Sequence, residues 1–315
     1  MGCDQHSFLC AAVAILLAVC TAGSISSASE ATCDGCFHHA RVSLFSNASA
    51  LNSGACGYGS MAVGFYGGRI AAASPKLYKD GAACGACFQL RCKDHIVCKK
   101  EGTTVMVTDY YVNANAQTDF VISSRALMAM AAADAAGNSK KDQQQRQHLF
   151  DTLLDHVEYQ RVPCDEYKSR NLAIRVDESS QKPNRLAIQF LYQAGQTEIV
   201  SVDVAAAAAS GRRQVGSPNW MYMSRRKQLQ GGGAAAIWET VGAPPPSGAL
   251  QFRFVVTAGY DGKWYWANKK VLPWDWKNGG ICDTGLQVTD IALDGGSGCS
   301  QTCDDHHHHH AAGHH

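Results

Sequence analysis

Cys84, Cys87, Cys92 and Cys98 fall within one short stretch of the chain, and thiols at that spacing admit three chemistries. Four thiolates can close a tetrahedral shell around zinc. A Cys-x-x-Cys pair such as Cys84–Cys87 can carry redox chemistry when a thioredoxin-like βαβ pattern surrounds it, and none does here. The third is pairing into disulfides, which belongs to exported proteins. The rest of the cysteine inventory favours it. Of the 14 cysteines, Cys3, Cys10 and Cys20 lie in an N-terminal segment that reads as a signal peptide over residues 1–28. There the apolar run from Phe8 to Ala22 is short for a bilayer span. Cys20-Thr21-Ala22 and Ser26-Ser27-Ala28 offer small-residue cleavage sites, although the segment before the apolar run has no Lys or Arg. Eight of the remaining cysteines lie between Cys33 and Cys164, and Cys282, Cys299 and Cys303 lie near the end. Removing three from 14 leaves an odd number, so one thiol is free or pairs between chains. A zinc shell would leave the export signal unexplained, so no metal and no cofactor are expected. Asn47-Ala48-Ser49 is a glycosylation acceptor for a secreted chain.

Length and composition set the frame that must hold these residues. A chain of 315 residues suggests two domains. A content of 46% hydrophobic and 17% charged residues suits a folded protein. The formal charge of +1 gives no reason to expect nucleic acid or an acidic membrane as partner. The character of the chain changes near residue 165. Upstream lie the cysteines, many glycines and short strand-like runs; downstream, cysteine is absent until Cys282 and residues alternate. Leu186–Leu191, Glu198–Val202 and Leu250–Val256 read as strands, with Phe252, Phe254 and Val256 on one face and Arg253 on the other. Turn segments at Gln193–Gln196 and Gly259–Gly262 join such strands into a small β-sandwich.

One helix is expected in the first half, capped by Ser123 or Ser124, running through the alanines to Ala136 and stopped by Gly137. The polar segment Asn138–Gln147 reads as a surface insertion. Ala205–Ala209, Gly231–Ala236 and Pro244–Pro246 read as widened loops. The expected boundaries are 33–166 and 170–293 for the two domains, with a disordered His-rich tail over 294–315.

Several segments resemble the plant expansin superfamily. Gly54-Ala55-Cys56-Gly57-Tyr58-Gly59 and Asp80-Gly81-Ala82-Ala83-Cys84-Gly85-Ala86-Cys87-Phe88-Gln89-Leu90-Arg91-Cys92 carry the resemblance to its first domain. Val107-Thr108-Asp109 and Arg161-Val162-Pro163-Cys164 follow in the same order. In the second half, Gly248–Phe254, Tyr260–Trp264 and Asp283–Asp290 resemble the expansin-like A branch in particular. The resemblance implies a mainly β fold. A six-stranded double-psi β-barrel, barwin-like and akin to family-45 glycoside hydrolases, would precede an immunoglobulin-like β-sandwich carbohydrate-binding module. It also implies disulfides Cys56–Cys84, Cys87–Cys164 and Cys92–Cys98, with Cys33 and Cys36 left over.

The resemblance further implies a groove that holds polysaccharide. Asp109 takes the position of the groove aspartate, with Tyr111 two residues on and on the same side of a strand. The second aspartate of the family pattern is replaced by Val121. Asp119 lies two residues too early, displaced by about 6–7 Å along the strand. Hydrolysis needs two carboxyl groups flanking the scissile bond, so the expected reading is non-lytic. The alternatives are a cryptic hydrolase using Asp109 and Asp119, a binding protein without wall-loosening activity, and a secreted defence or signalling module. Of the aromatic strip implied by the family, Leu44 and Phe45 take the first-domain positions, and Arg185 and Lys227 the second-domain ones. Trp238 stands nearby as a further polysaccharide contact. Trp220 and Tyr222 are expected in the core, as are Trp264, Trp266, Trp274 and Trp276 in the core or at its rim. Arg185 and Lys227 would favour acidic wall polymers. The expected partner is cellulose, xylan or pectin, bound outside the cell by a monomer with no membrane contact after signal cleavage.

Overall fold

The computed structural model describes residues 37–46, 54–94, 97–112, 118–132, 157–193, 195–208, 217–227, 235–258, 262–267 and 270–288, together with Gln144 and His148. The signal peptide, Asn47, Cys33, Cys36, Cys299, Cys303, the segment 138–143 and the His-rich tail lie outside the described residues. So do most of Gly231–Ala236 and the turn Gly259–Asp261. Fifteen strands form two sheets among the described residues.

The first sheet contains β1 (His38–Ala40), β2 (Val42–Leu44), β3 (Ile70–Ala73), β4 (Cys87–Cys92), β5 (Thr103–Tyr110), β6 (Phe120–Ile122) and β7 (Val157–Val162), in the order β1-β7-β4-β5-β3-β6-β2. β1 and β2 are one chain segment interrupted at Arg41. Because β1 pairs with β7 and β2 with β6, the sheet returns on itself as a nearly closed barrel of six strand segments. Phe120 of β6 meets Phe88 of β4 at 5.2 Å and Tyr159 of β7 at 5.4 Å between ring centroids. β6 neighbours neither β4 nor β7 in the sheet, so its ring meets theirs across the barrel interior.

The structure joins Cys56 to Cys84, Cys87 to Cys164 and Cys92 to Cys98. The sulfurs that a zinc shell would require are thus each bonded to another sulfur. The expected helix is shorter than its alanine run suggests. It spans Ser124–Met130 and is capped by Ser123, whose hydroxyl accepts from the Ala126 N–H at 3.2 Å. It stops because the next residues turn extended. Ala131 bridges Cys98, and the Ala132 N–H donates to the Val97 carbonyl at 2.9 Å. The Cys92–Cys98 loop therefore claims backbone that helix propensity alone would have continued.

The second sheet has eight antiparallel strands, β8 (Leu172–Val176), β9 (Ala187–Leu191), β10 (Glu198–Ala206), β11 (Met221–Arg225), β12 (Ile237–Thr240), β13 (Leu250–Thr257), β14 (Gly262–Trp266) and β15 (Ile281–Leu286), in the order β14-β13-β10-β11-β12-β9-β8-β15. It curls until its halves face each other. Phe190 of β9 packs on Phe254 of β13 at 5.1 Å, although three strands separate them in the sheet. Alternation works as expected along β13, where Phe252, Phe254 and Val256 are buried in this core and Arg253 points the other way. Ala205 and Ala206 are strand residues paired with Gln251 and Leu250, not the start of a widened loop. Ala205 is buried on the Asp203 side of β10, and Ala206 is exposed.

Candidate functional site

Asp109 sits near the end of β5, where the backbone is irregular. The pairing with β3 shifts register between Ala71 and Ala72, so Thr108 is passed over. Gly54 fills the resulting space. A Cβ at that position would come within 2.4 Å of the Thr108 carbonyl oxygen and 3.2 Å of the Asp109 Cβ, so only glycine lets the loop lie flat there. The loop then presents its N–H groups. Ala55 N–H donates to Asp109 Oδ1 at 2.6 Å and Tyr110 N–H to the same oxygen at 2.7 Å, while Cys56 N–H reaches the Thr108 carbonyl at 3.3 Å. Burial pushes the Asp109 carboxyl above the usual aspartate range, and the two backbone N–H groups only partly oppose this.

Register shows what faces Asp109. Asp109 is paired with Ala72, Ala72 with Val121 and Val121 with Ser43, so these four form a row across β5, β3, β6 and β2. Ala71, Ala73, Phe120 and Ile122 belong to the barrel core, whereas Ala72 and Val121 do not. The row therefore lies on the side away from the interior. Its floor is closed at Ala72 and Val121 and half-exposed at Asp109 and Ser43. Position 121 is about 10 Å from Asp109, two strand spacings across the sheet. An acid at that position would face Asp109; a valine offers no proton.

Asp119 does not fill the gap. Its Oδ2 accepts from the Arg41 N–H at 3.0 Å, and its own N–H donates to the Arg41 carbonyl at 2.9 Å. Asp119 is thus a clasp at the break between β1 and β2, where the barrel closes. Tyr111 continues β5 by one hydrogen bond to the Ala73 carbonyl, and Phe45 continues β2 by one to the Ile122 carbonyl. Both are half-buried. Because β2 and β5 run in opposite directions, Tyr111 extends past one end of the row and Phe45 past the other.

The Gly54–Gly57 loop also seats the second sheet. Ala236 N–H donates to the Cys56 carbonyl at 3.3 Å and Gln189 Nε2 to the Gly57 carbonyl at 2.6 Å. Glu198 bridges the same junction, with Oε1 at 2.9 Å from Lys79 Nζ and 2.7 Å from Arg161. Burial would raise the Glu198 carboxyl, but Arg161 and Lys79 more than offset that and hold it below the usual range. Tyr167, beside the junction, is pushed up to about 12 by burial.

In the second sheet the expected contacts are rearranged. Trp238 is only 4% exposed and lies in the core with the Arg225 guanidinium 4.7 Å above its ring, so it presents no face to a sugar. Arg185 spends its Nε and one terminal nitrogen on the Ser179 carbonyl and lies 4.0 Å from Glu239, which weakens its claim on an acidic polymer. Lys227 is exposed. Tyr222 is 57% exposed, against the expectation of core packing, and Trp266 and Trp264, expected in the core or at its rim, are 57% and 38% exposed. Trp220 is half-buried, Trp274 is exposed and Trp276 is buried. The signal was present in the alternation of Trp264-Tyr265-Trp266, since a core Tyr265 sends both tryptophans outward.

Comparison with known proteins then bears on these sites. Residues 172–273 match the family described as the expansin C-terminal domain, and residues 70–140 match the family described as lytic transglycolase. The chain is 51% identical over 273 residues to expansin-like A3 of Arabidopsis thaliana, covering 87% of this chain and 93% of the relative. It is 50% identical over 274 residues to expansin-like A1 of the same plant, covering 87% and 92%. Among solved structures, a mutant Clavibacter michiganensis expansin in complex with cellohexaose superposes with a TM-score of 0.53 at 19% identity, over 81% of this chain and all of that one.

Proposed function

This chain belongs to the expansin family, on its expansin-like A branch, and from that premise we propose that it is an exported cell-wall protein that binds polysaccharide along the Asp109 row without cutting it. The observation that carries the reading is the row itself. Glycosidases place two carboxyl groups about 5–9.5 Å apart across the scissile bond. Here Asp109 shares its row with Ala72, Val121 and Ser43, and the Asp119 carboxylate is held by the Arg41 backbone. One carboxyl can bind and orient a sugar hydroxyl; it cannot serve as both acid and base in one step.

The description of the family matching residues 70–140 speaks of lysis, and the missing partner of Asp109 argues against carrying that activity to this chain. The cellohexaose bound by the Clavibacter expansin supports a β-linked glucan as ligand class. Export rests on the residue 1–28 segment and on the three disulfides, and the cell wall on the relatives' family. No helix among the described residues is long and apolar enough to cross a membrane. We read residues 33–166 and 170–293 as the barrel and carbohydrate-binding domains, and Phe45 and Tyr111 as aromatic contacts at the two ends of the groove. A second reading, binding without wall loosening, is favoured by Val121, because loosening would have to proceed without the second groove acid.

The test is co-sedimentation of the mature protein with cellulose, xylan and pectin, with reducing ends measured in the supernatant. Retention on a polymer without sugar release is the expected result. Sugar release abolished by Asp109→Asn would make the protein a hydrolase and overturn the proposal. Creep of heat-inactivated wall strips under load separates loosening from binding alone.

A further inference from the structure

A second row of side chains lies on the outer face of the second sheet. Tyr222 of β11 is paired with Asp203 of β10, Asp203 with Arg253 of β13, and Arg253 with Trp266 of β14. Residues in register point to the same side, and the side opposite to theirs carries Val202, Val204, Phe252, Phe254 and Tyr265 of the core. The row therefore faces outward. Its centre is an ion pair, with Arg253 Nε 2.8 Å from Asp203 Oδ2. The Arg253 guanidinium also lies 4.6 Å from the Trp220 ring centroid and 4.7 Å from that of Trp264. One cation thus holds an indole on each side of the strand pair β10–β13. Trp264 and Trp266 stand 6.3 Å apart between centroids along the outermost strand.

We infer that this face is a second polysaccharide contact, specific for neutral chains and separate from the Asp109 groove. The inference takes its ligand class from the reading above and its location from the geometry of this face alone. Three features select the occupant. The exposed rings of Tyr222, Trp264 and Trp266 offer apolar surface to sugar rings, and the Arg253 contact that holds Trp264 in place beforehand lowers the cost of ordering on binding. The aromatic groups of β11 and β14 are about 14 Å apart across three strand spacings, room for a short run of sugar units. Between them lies the half-buried Arg253 guanidinium, which offers N–H donors to hydroxyl groups and is held by the buried Asp203 carboxylate. The six side chains carry one positive and one negative charge, so nothing in the face attracts a polyanion. A second copy of the chain would seek a continuous apolar core, whereas here a charge pair splits the aromatic surface.

The experiment is calorimetric titration of the mature, full-length protein with cellohexaose, repeated with oligogalacturonate. Trp264→Ala/Trp266→Ala is expected to weaken cellohexaose binding by about tenfold or more, with Trp266→Phe alone restoring most of it. Tyr222→Ala, at the far end of the row, serves as an independent variant should the double substitution fail to fold. Asp109→Asn should leave the Trp-dependent share of binding in place. Undiminished binding in both the tryptophan and tyrosine variants overturns this inference and leaves the groove reading standing. Absence of cellohexaose binding in the unaltered protein overturns both. Tighter binding of oligogalacturonate overturns the neutral specificity. A dimer detected by sedimentation that the tryptophan substitutions abolish would assign the face to self-association instead.

Discussion

The Asp109 row of the barrel and the Arg253 row of the second sheet are built alike and furnished differently. Each crosses four strands in register. In the barrel the row holds one acid, two small or apolar residues and a serine, and the acid is immobilised by an irregular loop that a disulfide anchors. In the second sheet the row is regular, its charges neutralise each other and its ends are exposed aromatic rings. A site made from a loop is sensitive to anything that moves backbone. A site made from alternation is sensitive mainly to the side chains themselves.

That contrast can be broken at several points. The largest effect should come from reduction. The three disulfides among the described residues lie in the barrel, and each contributes roughly 2–4 kcal/mol. Calorimetry in a thiol reductant is expected to lower the barrel transition strongly while the second sheet unfolds near its usual temperature. A single transition moving as a whole would mean the two sheets unfold as one unit. Gly54→Ala should come next, because its methyl must displace the Thr108 carbonyl. We expect a loss of about 3 kcal/mol and a collapse of groove binding, while binding that depends on Trp264 survives.

Glu198→Gln should cost about 1–3 kcal/mol at neutral pH by weakening the charged bridge to Lys79 and Arg161. Its carboxyl is held below the ordinary value of 4.5, so its contribution is present above that value and is lost as pH falls through the lower folded-state pKa. Asp109 has the opposite sign. Its folded-state pKa lies above the ordinary 3.8, so its contribution is full below that value and is lost as pH rises through the folded-state pKa. Asp109→Asn should therefore gain stability at neutral pH, by less than Glu198→Gln loses, and the gain should vanish in acid. Denaturant midpoints at several pH values would reveal the two opposite slopes. The smallest effect is expected at Trp274, exposed on a turn and in neither row, where alanine should change stability by about 0.5 kcal/mol or less.

Much of this was legible before any coordinates. Strand alternation placed Phe252, Phe254 and Val256 inside, and the segment around Cys84 and Cys87 identified the family. Legibility failed where a nonlocal partner decides. The helix after Ser123 stops at Met130 because Ala131 is taken by Cys98, and nothing in the alanine run announces that. Trp238 is buried and Trp266 exposed although both are strand tryptophans, because each faces the side that its strand's alternation dictates once the sheet curls.

The sequence by itself determined the local quantities, namely strand periodicity, the cysteine density of an exported chain, the motifs of the family and the loss of an acid at Val121. Periodicity and cysteine density follow from residue type and spacing, which are properties of the chain alone, and the loss at Val121 is read by setting the chain beside the pattern of the family it resembles. Only the tertiary structure decided that the Arg41 backbone captures Asp119, that the Gly54 loop holds Asp109, and that Tyr222, Arg253 and Trp266 stand in one row. The reason is register. Which residues lie side by side across a sheet depends on hydrogen bonds between strands far apart in the chain, and a slip of one residue turns every side chain to the opposite face.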